Sequence, residues 1–179
     1  MVELLLNRDP GIEFTEVVVA TMVGTFHGKE TTKLLLSRNP NIEVTETVVA
    51  AAASNGCNEL MKILLDRNPN IEPTSTIMTA AAGNYRGKGV VALLIDRNPT
   101  FELTEDVVVA AAGSWSGLDV LELLLERDPN IKITEAVVVA AAKSEYGKDM
   151  MELLLDRDPN IEITEAVVVA AAKNKYEKT

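Results

Sequence analysis

The sequence predicts an all-α solenoid, a stack of antiparallel helical hairpins. Three observations indicate this fold class: the chain repeats itself, each repeat holds two segments with helical patterns, and neither segment can bury its apolar surface alone. The repeat is 30 residues long, with one step of 29, and it is marked by Thr15, Thr45, Thr74, Thr104, Thr134 and Thr164. Six such periods account for the 179 residues, so we expect a single repeat array over residues 1–179 without a second domain.

The first helix of each repeat begins near its threonine. In the last repeat the hydroxyl of Thr164 can cap the free N–H groups of the first turn, and Glu165 lies at the positive end of the helix dipole. Residues 167–172 are apolar on every side, which is typical of a helix buried among neighbours. Three consecutive valines would also suit a strand, but the threonine start and the alanines that follow favour a helix.

The second helix is rich in leucine and has one polar side. In residues 149–157, acidic side chains at spacings of three and four share one face, opposite a broad apolar face of methionines and leucines. Arg157 suits the negative end of the helix dipole. Pro159 then forbids continuation, so Asp-Pro-Asn predicts a turn. Hairpins of this kind need neighbours to cover their apolar faces.

The order of these features resembles the ankyrin repeat. Thr134, the alanines at 140–142, Gly147 and the leucines at 153–155 follow the ankyrin order of threonine, paired alanine, glycine turn and leucine-rich helix. Glu135 and Ala136 replace the ankyrin Pro and His, and the stretch from Leu155 to Thr164 is too short for the projecting β-hairpin finger. The resemblance therefore implies an ankyrin-like solenoid without the finger.

The chain is also similar to short repeats found in fungal proteins beside ankyrin arrays and NACHT-type nucleotide-binding domains. Those repeats share the leucine block, the Ile-Thr-Glu start and the valine and alanine blocks seen at residues 153–172. This resemblance implies a ligand-sensing or protein-binding array within a larger receptor. It brings no catalytic residue with it.

Composition excludes several classes of function. There are 27 acidic against 17 basic residues, a formal net charge of −10, which argues against a nucleic-acid partner. The longest apolar run has seven residues, whereas a membrane helix needs about 20, so we expect no membrane partner. Cys57 is the single cysteine, which excludes an intrachain disulfide and favours a reducing, cytoplasmic setting.

The residues of a catalytic centre are scarce. One histidine and one cysteine, His27 and Cys57, cannot supply a nucleophile, a base and an orienting group. The spacings that hold zinc are missing, and the Gly-Lys pairs lack the remainder of a phosphate-binding loop. We therefore expect no enzymatic activity, no metal and no cofactor.

Repeated arginines and glutamates predict electrostatic links between repeats. An arginine recurs in each repeat, at 8, 38, 67, 97, 127 and 157, and glutamates recur near the start of the first helices. An anion-binding row of arginines is one interpretation. Salt bridges between the repeats, together with favourable charge at the helix ends, are the interpretation we prefer.

Variation among the repeats identifies a candidate binding surface. It concentrates at the third and tenth positions of the first helix and in the turn that follows, where five of the seven aromatic residues lie. Tyrosine and tryptophan are enriched in binding hot spots, although each ring could instead merely cover its own helix ends. The candidate residues are Phe26, His27, Tyr85, Arg86, Trp115, Tyr146 and Tyr176 in the turns and Asp106, Lys143 and Lys173 on the first helices. Phe14 and Phe101 replace aliphatic residues of other repeats, so we expect them in the core.

Two functions fit this pattern. The first is recognition of a protein partner by a non-enzymatic scaffold, as the sensor or interaction part of a larger protein. The second is structural: residues 1–14 and 164–179 form complementary half-repeats, so copies could associate head to tail.

Overall fold

The structure is a computed structural model, and it describes residues 2–9, 11–25, 27–115 and 117–175. Within these ranges it contains twelve α-helices and no strand. Neighbouring helices pack in a repeated arrangement, so the predicted helical solenoid is confirmed. The valine-rich segments, for which a strand was the alternative, are helical in the repeats that the structure describes.

The helices alternate between the two predicted types. The first helices of the repeats are α2 (Glu16–Val23), α4 (Glu46–Asn55), α6 (Ser75–Ala82), α8 (Glu105–Gly113), α10 (Glu135–Lys143) and α12 (Glu165–Ala172). The second helices are α1 (Val2–Arg8), α3 (Gly28–Arg38), α5 (Asn58–Arg67), α7 (Gly87–Arg97), α9 (Leu118–Arg127) and α11 (Gly147–Arg157). None of these described helices is both long and apolar enough to cross a membrane.

The core is built from equivalent positions of successive repeats. In α4 the side chains of Val48, Val49, Ala52 and Ala53 are fully buried, and the matching positions of α6, α8 and α10 are buried as well. The second helices contribute leucines, such as Leu94 of α7, from the opposite side. One continuous apolar cluster therefore runs through most of the array, as expected when each repeat covers the next.

The first helices contact one another more extensively than the second helices do. Alanine at the facing positions of the first helices lets their backbones approach closely, whereas leucine and methionine keep the second helices farther apart. A stack that is narrower on one side curves. Because closer packing on one side bends a stack toward that side, we call the face formed by the first helices the concave side of the array and the face formed by the second helices the convex side.

The threonine hydroxyl caps the first helices α2, α4, α6 and α12, and several of these threonines also bond to the preceding repeat, whereas Thr104 and Thr134 make no such cap bond. The Oγ1 of Thr45 accepts the N–H of Val48 at 3.4 Å and donates to Glu16 of the preceding repeat at 2.5 Å. The hydroxyls of Thr74, Thr134 and Thr164 donate in the same way to Glu46, Glu105 and Glu135. Thr45, Thr74 and Thr164 thus serve both as the predicted cap and as a bond between repeats.

The arginines do not make the predicted salt bridges at three positions where their bonds are described. Nη2 of Arg97 donates to the carbonyl oxygen of Pro69 at 2.8 Å, and Nη2 of Arg127 donates to those of Pro99 and Phe101 at 2.8 Å each. Arg157 bonds to the carbonyl of Pro129 at 2.9 Å. At these positions the salt-bridge part of the prediction was wrong, whereas the placing of positive charge at helix ends agrees with these bonds. Carbonyl groups at a helix end and in the following turn lack backbone partners, so they accept hydrogen bonds from the arginine of the next repeat.

The proline turn forms as predicted. In the turn after α9, Oδ1 of Asp128 accepts the N–H of Asn130 at 2.9 Å, and in the turn after α11 Asp158 accepts the N–H of Asn160 at 2.9 Å. Side chains that accept from the backbone two residues ahead are typical of such turns.

Candidate protein-binding surface

Three aromatic side chains project from the turns that join the first helix to the second. Tyr85, Trp115 and Tyr146 are 50%, 56% and 42% exposed, and they follow α6, α8 and α10. We call these three residues the aromatic row. The prediction of aromatic residues in these turns also included Phe26 and Tyr176, which lie outside the described residues.

The turns are held in register by a ladder of side-chain bonds between repeats. Nδ2 of Asn84 donates to the carbonyl of Ser54 at 2.6 Å, and Oγ of Ser144 donates to that of Ser114 at 3.1 Å. Asn174 continues the ladder, donating to the carbonyl of Ser144 at 2.7 Å. Because equivalent residues bond one repeat to the next, the aromatic row follows one edge of the array.

One charged candidate, Arg86, lies beside a ring of the aromatic row. The guanidinium carbon of Arg86 is 5.0 Å from the centroid of the Tyr85 ring, a distance suited to a cation–π contact. The candidate His27 lies in another turn, the one between α2 and α3, where it is exposed. Phe14 and Phe101, by contrast, are half-buried and pack against the apolar core, as predicted.

The variable positions of the first helices are exposed on the concave side. Asp106 occupies the third position of its repeat, and Lys143 and Lys173 occupy the tenth; all three are exposed. The remaining third positions and tenth positions are also exposed, whereas the fourth and fifth positions of the internal repeats are buried. The structure therefore separates the variable residues from the packed ones, as the comparison among repeats predicts.

A shallow groove runs between α6 and α8 on this side. We call it the α6–α8 groove; it is lined by Ser75, Thr76, Thr79, Ala80, Asp106, Val109 and Ala110. Its walls are mostly small or apolar, and Asp106 is its one charged lining residue. The candidate residues include Asp106 but not Thr79 and Val109, which occupy the sixth position of their repeats. The spacing of the repeat predicts their place, because the sixth position lies three residues after the third and hence on the same helical face.

Some of the charged side chains on the convex side form pairs between repeats. Nζ of Lys29 on α3 lies 2.5 Å from Glu59 on α5, and Nζ of Lys88 on α7 lies 3.1 Å from Asp119 on α9. The hydrogen bond from Lys29 lowers the pKa of the Glu59 carboxyl, and the same contact raises the pKa of Lys29. These acidic residues stabilise the stack, whereas Asp106 of the α6–α8 groove faces outward without such a link.

Over the described ranges, no three histidine, cysteine or acidic side chains are grouped so as to hold a metal ion. Cys57 is a free, half-buried thiol that precedes α5.

The sequence matches the family described as "Domain of unknown function (DUF7104)" five times in succession. The matched ranges are 34–61, 63–90, 93–120, 123–151 and 153–177. Each of the first four begins in one second helix, passes through the proline turn and the next first helix, and ends in the following second helix. No curated protein and no solved structure matches the chain. Because the five matches cover most of the sequence, the chain is a tandem array of repeats that belongs to the DUF7104 family.

Proposed function

We propose that this chain is a non-enzymatic scaffold that recognises a protein partner through its concave side and the adjoining aromatic row. The observation that carries this proposal is the exposure of Tyr85, Trp115 and Tyr146 in three successive, equivalent turns. The helices beneath them are fully packed without these rings. Rings that only covered their own helix ends would lose much more of their surface to the protein.

Exposed aromatic rings suit binding for an energetic reason. Tyrosine and tryptophan bury a large area on contact, and they lose little conformational entropy because they have only two side-chain torsions. A row of such rings fixed by inter-repeat bonds is already ordered before a partner arrives. Less of the binding free energy is then spent on ordering the surface.

The α6–α8 groove indicates the chemistry of the partner segment. Alanine and threonine side chains make it shallow, so it fits small apolar side chains. Asp106 offers a carboxylate at the wall, and Glu105 beside it adds negative charge. We therefore propose that the partner presents a lysine or arginine next to small apolar residues, since complementary charge selects partners and speeds association.

The resemblance to repeats of fungal NACHT-type receptors supports a further part of this proposal. We propose that the array is the sensor or interaction part of a larger cytoplasmic protein, and that the partner is recognised without any chemical change. The reducing environment suggested by a single free cysteine is in keeping with that setting.

A double substitution of Tyr85→Ala and Trp115→Ala tests the aromatic row. Because both rings are at least half exposed, we expect the free energy of unfolding in urea to change by less than about 1 kcal/mol. The wild-type chain and the variant are each used to capture proteins from an extract of the source cells, and mass spectrometry quantifies the captured proteins. We expect the variant to capture smaller amounts of the proteins that the wild-type chain captures. The Asp106→Lys variant should also capture smaller amounts of the same proteins.

The matched control is Phe101→Ala, which removes a ring that packs against the core. It should lower stability by about 3 kcal/mol while leaving capture by the folded fraction intact. A comparable loss of stability in the double variant would show that the aromatic row belongs to the core. Unchanged capture by both the double variant and Asp106→Lys would place the binding surface elsewhere.

A further inference from the structure

On the convex side, the seam between α5 and α7 lacks a salt bridge that two other seams have. Lys29 and Glu59 bridge the seam between α3 and α5, and an equivalent pair bridges the seam between α7 and α9. At the seam between α5 and α7 the equivalent residues are Asn58 and Gly89, which cannot form a salt bridge. This seam is therefore held without a charged contact at that level.

The helix α7 also lacks outward charges that other second helices carry. Gly89 and Ala92 stand where α3, α5, α9 and α11 each have a charged residue. The residues equivalent to Gly89 are Glu30, Glu59, Asp119 and Asp149, and those equivalent to Ala92 are Lys33, Lys62, Glu122 and Glu152. The outward face of α7 is consequently small and uncharged at two positions one turn apart.

These differences leave a groove between α5 and α7. We call it the α5–α7 groove; it is lined by Asn58, Glu59 and Lys62 on α5 and by Gly89, Ala92, Leu93 and Asp96 on α7. Ala92 and Leu93 are half-buried and form an apolar floor. Long charged side chains at the positions of Gly89 and Ala92 would fill the groove, because both residues line it.

Two charged side chains at the walls of the α5–α7 groove have no ionic partner among the described residues. Lys62 on α5 and Asp96 on α7 are exposed, and neither takes part in the ion pairs found there. Glu59, the remaining charged lining residue, is already in contact with Lys29 and Lys33. The groove thus combines an apolar floor with one unpaired cation and one unpaired anion on opposite walls.

The glycine at position 89 is not required by the packing of the backbone. A Cβ at Gly87 would clash with the backbone carbonyl of Ala81, whereas a Cβ at Gly89 would meet the side-chain amide of Asn58, which is exposed and can rotate away. Glycine is less favourable in a helix than the acidic residues of other repeats, which also suit the positive end of the helix dipole. A departure from the repeat pattern that lowers stability without a packing gain is expected where a surface binds something.

We propose that the α5–α7 groove binds an amphipathic helix of a protein partner, at a site separate from the concave side and the aromatic row. Lys62 is equivalent to Ala92, and Asp96 lies four residues after Ala92, so the two charges are offset by about 6 Å along the helices, roughly one turn. Residues three or four apart share one face of a helix. The matching helix therefore places an apolar side chain on Ala92 and Leu93, a carboxylate near Lys62 and a lysine or arginine near Asp96.

Selection from a phage-displayed library of helical peptides on the immobilised full chain tests the proposal. We expect enriched peptides to carry an acidic and a basic residue three or four positions apart beside an apolar residue. The affinity of a selected peptide, measured by fluorescence anisotropy, should fall by about tenfold or more on Lys62→Glu and on Asp96→Lys. Selection on Lys62→Glu should in turn enrich peptides with a basic residue in place of the acidic one.

A variant that restores the repeat pattern provides the sharpest arm. Asn58→Lys combined with Gly89→Glu and Ala92→Lys should raise the thermal unfolding midpoint, because it rebuilds the missing bridge and removes a glycine, and it should abolish peptide binding. Glu122→Lys is the matched control, because Glu122 is the exposed residue of α9 equivalent to Ala92; it should bind the peptide as the wild type does.

Two results would overturn the proposal. One is a selection that yields no peptide whose binding depends on Lys62 and Asp96. The other is a selected peptide that binds the pattern-restoring variant as tightly as it binds the wild type.

Discussion

At the scale of single residues, glycine sets the distance between the two helices of a hairpin. Gly117 lies just before α9, and a Cβ added to it would be 1.7 Å from the carbonyl oxygen of Ala111 on α8. Gly87 has the same relation to Ala81, at 1.9 Å. The first residues of the second helix therefore pack directly on the backbone of the first helix, which leaves no room for a side chain.

We expect Gly117→Ala to lower the free energy of unfolding by about 1–3 kcal/mol, since the added methyl group forces two backbone segments apart. Gly113→Ala, four residues earlier, should be neutral or stabilising by up to about 1 kcal/mol. Its Cβ would meet nothing closer than Ala140 at 3.8 Å, and alanine favours the helix. Urea denaturation of both variants measures the difference, and equal effects would contradict the close approach.

At the scale of the helices, side chains of one repeat stabilise the next through polar contacts. Glu16 on α2 accepts a hydrogen bond from the Thr45 hydroxyl, and this bond is the main reason that the pKa of Glu16 is lowered. On the convex side Glu59 of α5 accepts from Lys29 of α3, which lowers the pKa of Glu59. Both contacts favour the ionised carboxylate, so their contribution to stability depends on pH.

Acidification should therefore weaken the array. A carboxyl group whose pKa is lower in the folded state adds stability above its unfolded pKa, and this stability is lost as the pH falls through the folded pKa. For Glu59 the loss begins below about pH 4. The raised pKa of Lys29 has the opposite effect on the pH dependence. Lys29 contributes its full stabilisation of the folded state below the ordinary lysine pKa, and this stabilisation is lost as the pH rises above the raised pKa.

Glu59→Gln should lower the thermal unfolding midpoint at pH 7 and make the midpoint less sensitive to acid than in the wild type. Glu126→Gln is the control, because Glu126 is an exposed carboxylate on α9. Midpoints measured by circular dichroism between pH 3 and pH 7, the range in which carboxyl groups titrate, provide the test. Parallel acid profiles for the wild-type and Glu59→Gln chains would show that the Lys29 contact does not contribute.

At the scale of the whole molecule, the array is nearly one-dimensional, because each repeat packs mainly on its two neighbours. Repeats in the middle have a neighbour on each side, and their core leucines, such as Leu94 and Leu124, are fully buried. The helix α1 leaves Leu4 and Leu5 largely exposed. Stability should consequently be highest in the middle of the array.

Hydrogen exchange should report this gradient. Backbone amides of α1 should exchange fastest among the described helices and those of α6 to α9 slowest, because opening an end helix disrupts one interface and opening a central helix disrupts two. Mass spectrometry at low micromolar protein concentration measures the order of exchange. Protection of α1 equal to that of α7 under these conditions would contradict the gradient.

The sequence alone determined the repeat length, the two helices of each repeat and the turns that separate them. These features depend on interactions within a few residues: the Thr45 cap, the Asp128 turn and the spacing of apolar side chains. The comparison of repeats also indicated which positions are free to vary, since packing keeps the others nearly constant. The exposure of Tyr85, Trp115 and Tyr146 agrees with that reasoning.

The tertiary structure alone decided which groups meet across the repeats. Arg127 bonds to carbonyl oxygens and not to glutamate, Glu59 pairs with Lys29, and Val109 joins Asp106 in the α6–α8 groove. Each of these contacts depends on the distance and rotation between neighbouring hairpins. Those quantities follow from how alanine and leucine faces pack together, and a linear pattern of residue types does not contain them.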